Sequence, residues 1–374
     1  MRLAIVYHEH YSKYNLGSTH PLNPSKPLLE VELLKTIGIL DNSNIKLIEP
    51  EPVSEDLLLL IHSKEYVEYI KRKEKEGIGY FDYGDTPVFP EAFYASSLAV
   101  GGSLRALELV ANEGFDVAYN PLGGFHHAKR SKAGGFCLFN DEALISLYAF
   151  LKNYGKVMVL DIDVHHADGV QELLYDKPIL KVDVHEWGIY PGTGWIDEVG
   201  EGEGKYYMVN IPLPPGVGDD YYIKVFNDAI VPIVIKYKPD IMIIQAGADT
   251  HTNDPLATLN LTTNAFARMF YTLRDIMDNV GFKLIILGGG GYCVDCAIRC
   301  HVVMLLSLLG IKPEGKIPDT WRKKFKELIG YEPPQYINDP METTTPIQVA
   351  NEVEDIMDKV KYVHEVWFKN SFLN

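Results

Sequence analysis

Short runs of apolar, β-branched residues recur along the 374-residue chain, and amphipathic segments of helical length separate most of them. The runs lie at 3–7, 115–120, 156–163, 179–185, 206–212, 240–249 and 283–292. The helical segments lie at 90–113, 140–154, 219–238 and 262–280, and helix-start residues such as Asn140 and Thr262 introduce them. Near-continuous apolar strands that alternate with helices predict an α/β fold, with an open, mostly parallel β-sheet covered by helices on both faces.

The chain contains no internal repeat, low-complexity tract or Pro/Ser-rich linker at which it would divide. Residues 312–345 are polar and contain proline, and residues 346–370 have the pattern of a last helix. Sheets of this class with long loops often exceed 300 residues as one unit. We therefore predict a single domain over 1–374, with 312–374 as a C-terminal extension packed on it.

Composition and charge argue against several classes of protein. The net charge of −16 comes from 51 acidic and 35 basic residues. Because an acidic surface repels phosphate backbones, we expect no direct nucleic-acid binding, whereas lysine-rich peptides or polyamines are more easily accommodated. Four cysteines in so long a chain do not make a disulfide framework. With no apolar run long enough for a signal peptide or a membrane helix, we expect a cytoplasmic protein.

Polar residues that carry chemistry follow directly after five of the strands. FDVAYN is followed by PLGGFHHAKR, KVMVLDID by VHHADG, KVDVH by EWGIYPGTG, DIMIIQAG by ADTHTND, and KLIIL by GGGGY. An open parallel sheet places its ligand crevice at the carboxyl ends of its strands. We therefore predict one site, assembled from these five strand ends.

Asp163 and His165 in DIDVHHADG are two residues apart, so their side chains point the same way at an extended strand end. A carboxylate oxygen with an imidazole nitrogen suits zinc or another borderline divalent metal. Asp249, which leaves another strand of the same sheet, supplies a third ligand. Three protein ligands leave positions open for water and substrate, which is typical of a catalytic site. Taken alone, the short motif is also compatible with a helix cap.

Groups that can move protons or stabilise negative charge accompany these ligands. His126 and His127 are adjacent in a loop that contains glycines, and Asp161 and Asp168 could orient and charge-tune the two imidazoles. Asp161 is alternatively a buried structural carboxylate that binds a cation. Tyr292 follows four glycines whose backbone can line a narrow channel, and its hydroxyl can donate to a developing oxyanion.

Three cysteines after this tyrosine allow two interpretations. Cys293 and Cys296 form a CxxC motif, which can bind a metal or act in redox chemistry. Together with Cys300 they are spaced by three and four residues, which places them on one face of a helix and favours buried core positions. We predict core packing for them. The remaining histidines, such as His8, His62 and His185, are predicted to be structural.

Together these motifs resemble the zinc-dependent histone deacetylase family, especially its prokaryotic acetoin-utilization-protein and acetylpolyamine-amidohydrolase relatives. The resemblance extends from about residue 7 to residue 310 and rests on several long motifs in the family's order. They are GSTHPLNP (17–24), GGFHHAKRSKAGGFCLFND (123–141), VLDIDVHHADGVQE (159–172), YPGTG (190–194), GADTHTNDPL (247–256) and LGGGGY (287–292). The implied fold is that shared by arginase and the deacetylases.

The resemblance implies one zinc ion per chain, with Fe²⁺ as an alternative, bound by Asp163, His165 and Asp249. His127 with Asp168 would act as general base and acid, and His126 with Asp161 as the electrostatic partner of that dyad. Tyr292 would polarise the amide carbonyl together with the metal. The implied reaction is hydrolysis of an N-acyl amine, most simply acetyl-lysine, to acetate and the free amine.

The resemblance also implies a substrate channel and a monovalent-cation site. The channel would have Phe136 and Tyr190 as walls, Leu256 near its rim and Asp85 holding the substrate backbone. The full set of implied substrate-binding residues is Asp85, Gly135, Phe136, Tyr190, Leu256 and Gly290. The implied K⁺ or Na⁺ site consists of the backbone carbonyls of Asp161, Asp163, His165 and Val184, together with Asp183. The chain departs from the family pattern at Lys26, where an arginine is usual, and at Asp183, where a serine is common in the eukaryotic enzymes.

Other functions remain open from the residues alone. The substrate could be an acylated lysine peptide, an acetylated protein, an acetylpolyamine or a small metabolite. A binuclear manganese hydrolase of the arginase type needs further carboxylates, but Ala167 and His251 stand two residues beyond His165 and Asp249. A non-catalytic protein that binds acyl ligands is another class on this fold. The sequence leaves the oligomeric state open.

Overall fold

The computed structural model describes residues 1–368, and an eight-stranded β-sheet runs through it. The strands are β1 (Leu3–Val6), β2 (Ile45–Ile48), β3 (Val117–Asn120), β4 (Val157–Asp161), β5 (Leu180–Glu186), β6 (Met208–Leu213), β7 (Ile241–Gln245) and β8 (Lys283–Leu287). Their order is β2-β1-β3-β8-β7-β4-β5-β6, and every neighbouring pair is parallel. The predicted parallel α/β sheet is confirmed.

The edge strand β2 has no counterpart in the sequence pattern. Of its four residues only Ile45 is buried, whereas Lys46 and Leu47 are exposed. An edge strand has a neighbouring strand on one side only and is less buried than a central strand, so it needs no continuous apolar run. Its pairing with β1, rather than its own composition, makes it a strand.

Helices cover both faces of this sheet. Those of the described residues are α1 (Lys26–Thr36), α2 (Glu55–Leu58), α3 (Lys64–Glu76), α4 (Ala92–Asn112), α5 (Asp141–Leu151), α6 (Asp168–Leu174), α7 (Asp219–Val225), α8 (Val231–Tyr237), α9 (Thr263–Val280), α10 (Val294–Leu308), α11 (Asp319–Ile329), α12 (Ile347–Val363) and α13 (Glu365–Phe368). A π-helical turn, Phe226–Ile230, joins α7 to α8. None of the helices in residues 1–368 combines the length and the apolar character that crossing a bilayer requires.

Strand residues alternate between two hydrophobic cores, one on each face. In β4, Met158 and Leu160 belong to the first core, and Val157 and Val159 to the second. Helices α1 and α7 to α12 contribute to the first core, and α2 to α6 to the second. Because both faces are covered, the central strands are buried along their whole length, which explains their near-continuous apolar sequences.

The C-terminal region packs on the first core. Trp321 and Phe325 of α11 are buried, and Trp321 Nε1 donates to the carbonyl oxygen of Leu29 in α1 (2.8 Å). Val353 and Val360 of α12 join the same core. These contacts support the proposal that residues 312–368 continue the domain. The last six residues of the predicted extension, 369–374, lie outside the described residues.

The five strand ends predicted to build the site lie side by side. Strands β3, β8, β7, β4 and β5 are consecutive in the sheet, and because they are parallel they end at the same edge. The loops that follow them therefore converge on one place.

Candidate functional site

Two aspartates and a histidine meet at this edge. Asp163 and His165 follow β4, and Asp249 follows the neighbouring strand β7. His165 Nδ1 lies 3.2 Å from Asp163 Oδ1 and 3.1 Å from Asp249 Oδ2. One potential ligand atom from each residue lies within 4.8 Å of the other two, and all three residues are buried. The structure thus brings together the three predicted metal ligands.

The electrostatics of this triad fit a cation. Burial and the charge of Asp163 raise the pKa of Asp249 to about 7. Burial alone would lower the pKa of His165, but its hydrogen bonds to Asp163 and Asp249 outweigh burial and raise that pKa to about 10. Both shifts have one origin, because two buried carboxylates side by side require positive charge between them. A divalent ion would supply it, and carboxylate and imidazole donors suit zinc.

The end of β7 and the loop after β8 fix the orientation of the Asp163 carboxylate. Its Oδ2 accepts hydrogen bonds from the Gln245 side-chain amide (2.8 Å) and from the backbone N–H of Gly290 (3.0 Å). A Cβ atom at Gly247 would lie 2.6 Å from Asp163 Cγ, and one at Gly290 would lie 2.8 Å from Asp163 Oδ2. Glycine is therefore needed at both positions to leave space for the carboxylate.

His127 and Asp168 form a dyad beside the triad. His127 Nδ1 donates to Asp168 Oδ1 (2.8 Å), which leaves Nε2 as the free acceptor. Burial and the nearby His126 lower the pKa of His127 to about 4, so its imidazole is neutral near pH 7. Burial alone would raise the pKa of Asp168, but its bonds to His127 and to the Lys129 ammonium (2.9 Å) hold it well below its ordinary value. Asp168 therefore stays ionised.

His126 and Asp161 form a second dyad. His126 Nδ1 donates to Asp161 Oδ2 (2.7 Å), and the His126 and His127 rings lie 4.1 Å apart between centroids. Burial and the charges of Asp183 and Asp163 raise the pKa of Asp161 well above its ordinary value. The two dyads thus have different electrostatic settings, because Lys129 binds the first aspartate directly, whereas the charges of two carboxylates, Asp183 and Asp163, act most strongly on the second.

Tyr292 reaches the same place from the loop after β8. Gly289 and Gly291 have φ angles of 63° and 124°, in the left-handed region that favours glycine. Burial and the charges of Asp249 and Asp163 raise the pKa of Tyr292 well above its ordinary value. Its hydroxyl therefore stays protonated and can donate a hydrogen bond.

A cavity of about 230 Å³ opens from the surface onto these groups. Its lining consists of Asp85, His127, Gly135, Phe136, His165, Tyr190, Leu256 and Tyr292. Tyr190 is 45% exposed and Leu256 is 38% exposed, so both lie at the mouth, as does the exposed Asp85. Five of the six predicted substrate-binding residues therefore share one cavity.

The sixth, Gly290, lines a smaller cavity of about 40 Å³. It shares His127 and Tyr292 with the larger one and also contains Lys26. Lys26 is buried, which lowers its pKa, and its ammonium donates to the carbonyl oxygens of Gly289 (2.9 Å) and Gly290 (3.4 Å). Lys26, at a position where the family usually has an arginine, therefore binds the glycine loop from inside the smaller cavity.

Backbone strain marks the wall of the larger cavity. Gly135 and Phe136 have φ angles of 51° and 70°. For a bulky side chain such a conformation costs on the order of 1–3 kcal/mol, and it persists where the surroundings enforce it. Here the Tyr14 hydroxyl donates to the Phe136 carbonyl (2.6 Å), and a Cβ atom at Gly135 would lie 2.8 Å from His127 Cγ. The backbone of the strained turn thus lies directly against the His127 imidazole.

Comparison with known proteins matches residues 20–308 to the histone deacetylase domain. The chain belongs to the histone deacetylase family. It is 35% identical to acetoin utilization protein AcuC of Bacillus subtilis over 367 residues, which is 94% of each chain. It is 34% identical to a probable deacetylase of Archaeoglobus fulgidus over 342 residues, 88% of this chain and 94% of that protein. The resemblance predicted from the motifs is confirmed, and the protein is a deacetylase of this family.

Solved structures agree with this assignment. A crystal structure of an HDAC homolog complexed with SAHA is similar with a TM-score of 0.84 at 27% identity, and covers 96% of this chain and 100% of its own. That of an HDAC homolog from Aquifex aeolicus has a TM-score of 0.83 with the same identity and coverage. The fold of this deacetylase is therefore that of the family over nearly its whole length.

Sequence reasoning missed residues that hold the histidine loop of this deacetylase. The Asn140 side chain caps α5 and also donates to the carbonyl oxygens of His126 (3.1 Å) and Ala128 (2.9 Å). His62 accepts a hydrogen bond from Asn140 N (3.0 Å). Asn140 was recognisable from the sequence only as a helix start, because the second role of its amide depends on how the loop folds back.

Asp254 is another such residue. Its Oδ2 accepts hydrogen bonds from the backbone N–H groups of Tyr292 (2.7 Å) and Cys293 (3.2 Å). It thereby connects the loop after β7 to the tyrosine loop after β8. Its position in the motif GADTHTNDPL was the available signal.

The prediction for the cysteines is wrong in part. Cys300 is buried with a free thiol, as predicted, but Cys293 and Cys296 form a disulfide. Cys293 is the N-cap of α10, with an extended backbone, so the helical spacing rule does not apply to it. The disulfide closes the chain directly after Tyr292.

Proposed function

We propose that this deacetylase hydrolyses N-acylated amines of the acetyl-lysine type with one zinc ion, or alternatively Fe²⁺, held by Asp163, His165 and Asp249. The observation that carries the proposal is the meeting of this buried triad with two histidine dyads and a tyrosine hydroxyl beside one cavity. The metal would polarise the acyl carbonyl and make the attacking water more acidic.

In this proposal His127 moves the proton. Its Nδ1–H is committed to Asp168, so Nε2 takes the proton from the attacking water. The ionised Asp168 then stabilises the imidazolium that results. The same Nε2–H passes the proton to the amine nitrogen as the carbon–nitrogen bond breaks, which yields the carboxylic acid and the free amine. The lowered pKa of His127 supports this role, because a base must be neutral before it acts.

His126 and Tyr292 act on charge in this proposal. His126, oriented by Asp161, stands 4.1 Å from the His127 ring and serves as the electrostatic partner at the water side. The Tyr292 hydroxyl donates to the carbonyl oxygen as that oxygen becomes negative in the tetrahedral intermediate. Removal of one such donor typically costs about 10²–10³ in kcat.

The cavity supports a substrate with a slender arm. Phe136 and Tyr190 would flank the alkyl chain of the acyl-lysine, Leu256 would contact it near the rim, and the exposed Asp85 would accept a hydrogen bond from the substrate backbone. The net charge of −16 favours a substrate that carries positive charges near that arm. Acetylated lysine peptides, acetylated proteins and acetylpolyamines all meet this description.

Two alternative functions, an arginase-type enzyme and a non-catalytic binding protein, predict different experimental results. The positions at which a second metal would need carboxylates hold Ala167 and His251, and the His251 imidazole pairs with Asp339 (3.0 Å), which supports one metal per chain. Elemental analysis that found two manganese ions per chain would favour an arginase-type enzyme instead. A pure, metal-loaded protein that binds acyl ligands but hydrolyses neither acetyl-lysine peptides nor acetylpolyamines would favour the non-catalytic class.

The proposal is tested with Tyr292→Phe. We expect kcat for an acetyl-lysine peptide to fall by about 10²-fold or more, because the hydroxyl acts on the transition state. Zinc content should stay at one per chain. Tyr336→Phe, which alters an exposed tyrosine, is the matched control and should retain activity. Full activity in Tyr292→Phe would refute the role assigned to the hydroxyl.

A further inference from the structure

One face of β5 is a buried layer of charged side chains. The strand reads LKVDVHE, in which apolar residues alternate with Lys181, Asp183 and His185, yet all seven residues are buried. Leu180 and Val182 point into the first core, so the charged residues lie on the opposite face, beneath α5 and α6. Strands buried on both faces are normally apolar throughout, so this alternation needs a reason.

Lys181 is the only lysine or arginine of the layer among the described residues, and it is fully buried. Its ammonium donates to Asp183 Oδ2 (2.5 Å). Asp183 stands opposite Asp161 in the register of β4 and β5. Glu142 of α5 is fully buried as well, and one of its carboxyl oxygens lies within 4.8 Å of an Asp161 oxygen. The Lys181 ammonium thus binds Asp183 directly, and its charge partly offsets the effect of burial, which raises the pKa values of Asp161 and Glu142.

The implied monovalent-cation site contains one carboxylate, that of Asp183, besides backbone carbonyls, and both oxygens of this carboxylate already accept hydrogen bonds. Asp183 Oδ1 accepts from His185 Nδ1 (2.7 Å), and its Oδ2 accepts from the backbone N–H of Ala167 (3.0 Å) as well as from Lys181. Asp161 accepts from Asp163 N (3.0 Å) and from His126 Nδ1 (2.7 Å). A K⁺ or Na⁺ ion bound to Asp183 would therefore lie next to the buried Lys181 ammonium, whose like charge would repel it.

We propose that the Lys181 ammonium is a built-in cation that takes the place of K⁺ or Na⁺ in this protein and positions both histidine dyads. One path runs through the carboxylate layer to Asp161, which orients His126. The other runs through Asp183 to Ala167, the N-cap of α6, whose first residue is Asp168, the partner of His127. Lys181 touches no reacting atom and is a positioning residue.

Removal of the ammonium should create the cation site that the native chain lacks. In Lys181→Met the side chain still fills the space of the lysine stem, but the position of the ammonium becomes vacant beside Asp183, in the layer that also contains Asp161 and Glu142. A K⁺ or NH₄⁺ ion has the size and charge of the lost group. Such an ion should therefore bind to the variant and restore what the substitution removes.

The experiment compares the full-length wild type and Lys181→Met in K⁺, NH₄⁺ and tetramethylammonium salts at equal ionic strength, so that screening is constant. The first readout is Tm, which needs no substrate, and the second is kcat for an acetyl-lysine peptide. We expect the wild type to show the same Tm and kcat in all three salts. For the variant, K⁺ and NH₄⁺ should raise Tm saturably by about 2 °C or more over tetramethylammonium, with kcat rising in parallel.

Lys177→Met, which removes a partly exposed lysine that pairs with Asp176, is the matched control and should respond to the salts as the wild type does. If Lys181→Met does not fold, the double variant Lys181→Met/Asp183→Asn removes both charges of the pair, and the wild-type measurement needs no variant at all. A saturable increase of the wild-type Tm in K⁺ would overturn the proposal. The proposal would also be overturned if Lys181→Met had the Tm and kcat of the wild type in tetramethylammonium. The kcat arm rests on the proposed function, but the Tm arm does not, so the two failures are distinguishable.

Discussion

Replacement of His62 by glutamine is expected to make the free energy of unfolding less dependent on pH below pH 7. His62 Nδ1 donates to the Lys129 carbonyl (3.0 Å), and its Nε2 accepts from the Asn140 N–H (3.0 Å). Only a neutral imidazole can make both bonds. Burial, the main cause, lowers the pKa of His62 from 6.5 to about 4.

The size and sign of the effect follow from this pKa. Between pH 6.5 and pH 4 the unfolded chain binds a proton at His62 that the folded chain does not, so acid favours unfolding. The shift corresponds to about 3 kcal/mol once both states are protonated, of which about 2 kcal/mol is already lost at pH 5. Glutamine does not titrate and contributes no such loss.

The assay is urea unfolding at pH 7 and pH 5, followed by tryptophan fluorescence. We expect His62→Gln to be less stable than the wild type at pH 7, and the difference to shrink by about 2 kcal/mol at pH 5. Tyr66→Phe is the matched control, because it removes a buried hydrogen bond beside His62 (2.7 Å to Leu138 O) without removing a group that titrates in this range. A His62→Gln difference that is equal at both pH values would refute the reasoning.

Three further substitutions test how the site is built. Gly290→Ala should weaken zinc affinity by about 10- to 100-fold in chelator competition, because its Cβ would displace the triad carboxylates, and an unchanged affinity would contradict this. Asp254→Ala removes the acceptor that holds the Tyr292 and Cys293 backbone, so kcat should fall by about 10²-fold with zinc content unchanged; a rise in KM alone would argue against a role in placing the tyrosine. Cys296→Ser opens the four-residue disulfide ring and should lower the free energy of unfolding by about 2 kcal/mol under oxidising conditions, whereas under a dithiol reductant it should match the wild type.

The sheet was predictable because the sequences of its central strands are recognisable. Strands β3, β4, β7 and β8 are mostly apolar, β5 alternates apolar with polar residues, and all five are short and followed by polar site residues, so both their identity and their shared edge follow from the sequence. The edge strand β2 was not predictable, since its residues are largely exposed and its pairing with β1 is a tertiary fact.

The residues of the site were predictable where a motif carries them. The triad and both dyads lie in long motifs, and the structure brings them together; their catalytic roles remain predictions. Residues that act through the backbone, such as Asn140 and Asp254, were missed, because their contacts depend on how two loops fold back on each other. Lys181 was passed over for a related reason. A lysine in a strand is normally a solvent-facing residue, and only the packing of α5 and α6 over β5 shows that it is buried.

The order of the strands has a consequence for biosynthesis. Strand β8 lies between β3 and β7 and pairs with both, although it is the last strand to be translated. A nascent chain that ends before residue 283 can form the half-sheets β2-β1-β3 and β7-β4-β5-β6, but it has no strand to join them. Such long-range pairing is slow to form. The His126 and His127 loop belongs to one half and Asp163, His165 and Asp249 to the other, so the site cannot assemble during most of translation. If the proposed function is correct, metal binding with full affinity should therefore be a late event that reports completion of the sheet.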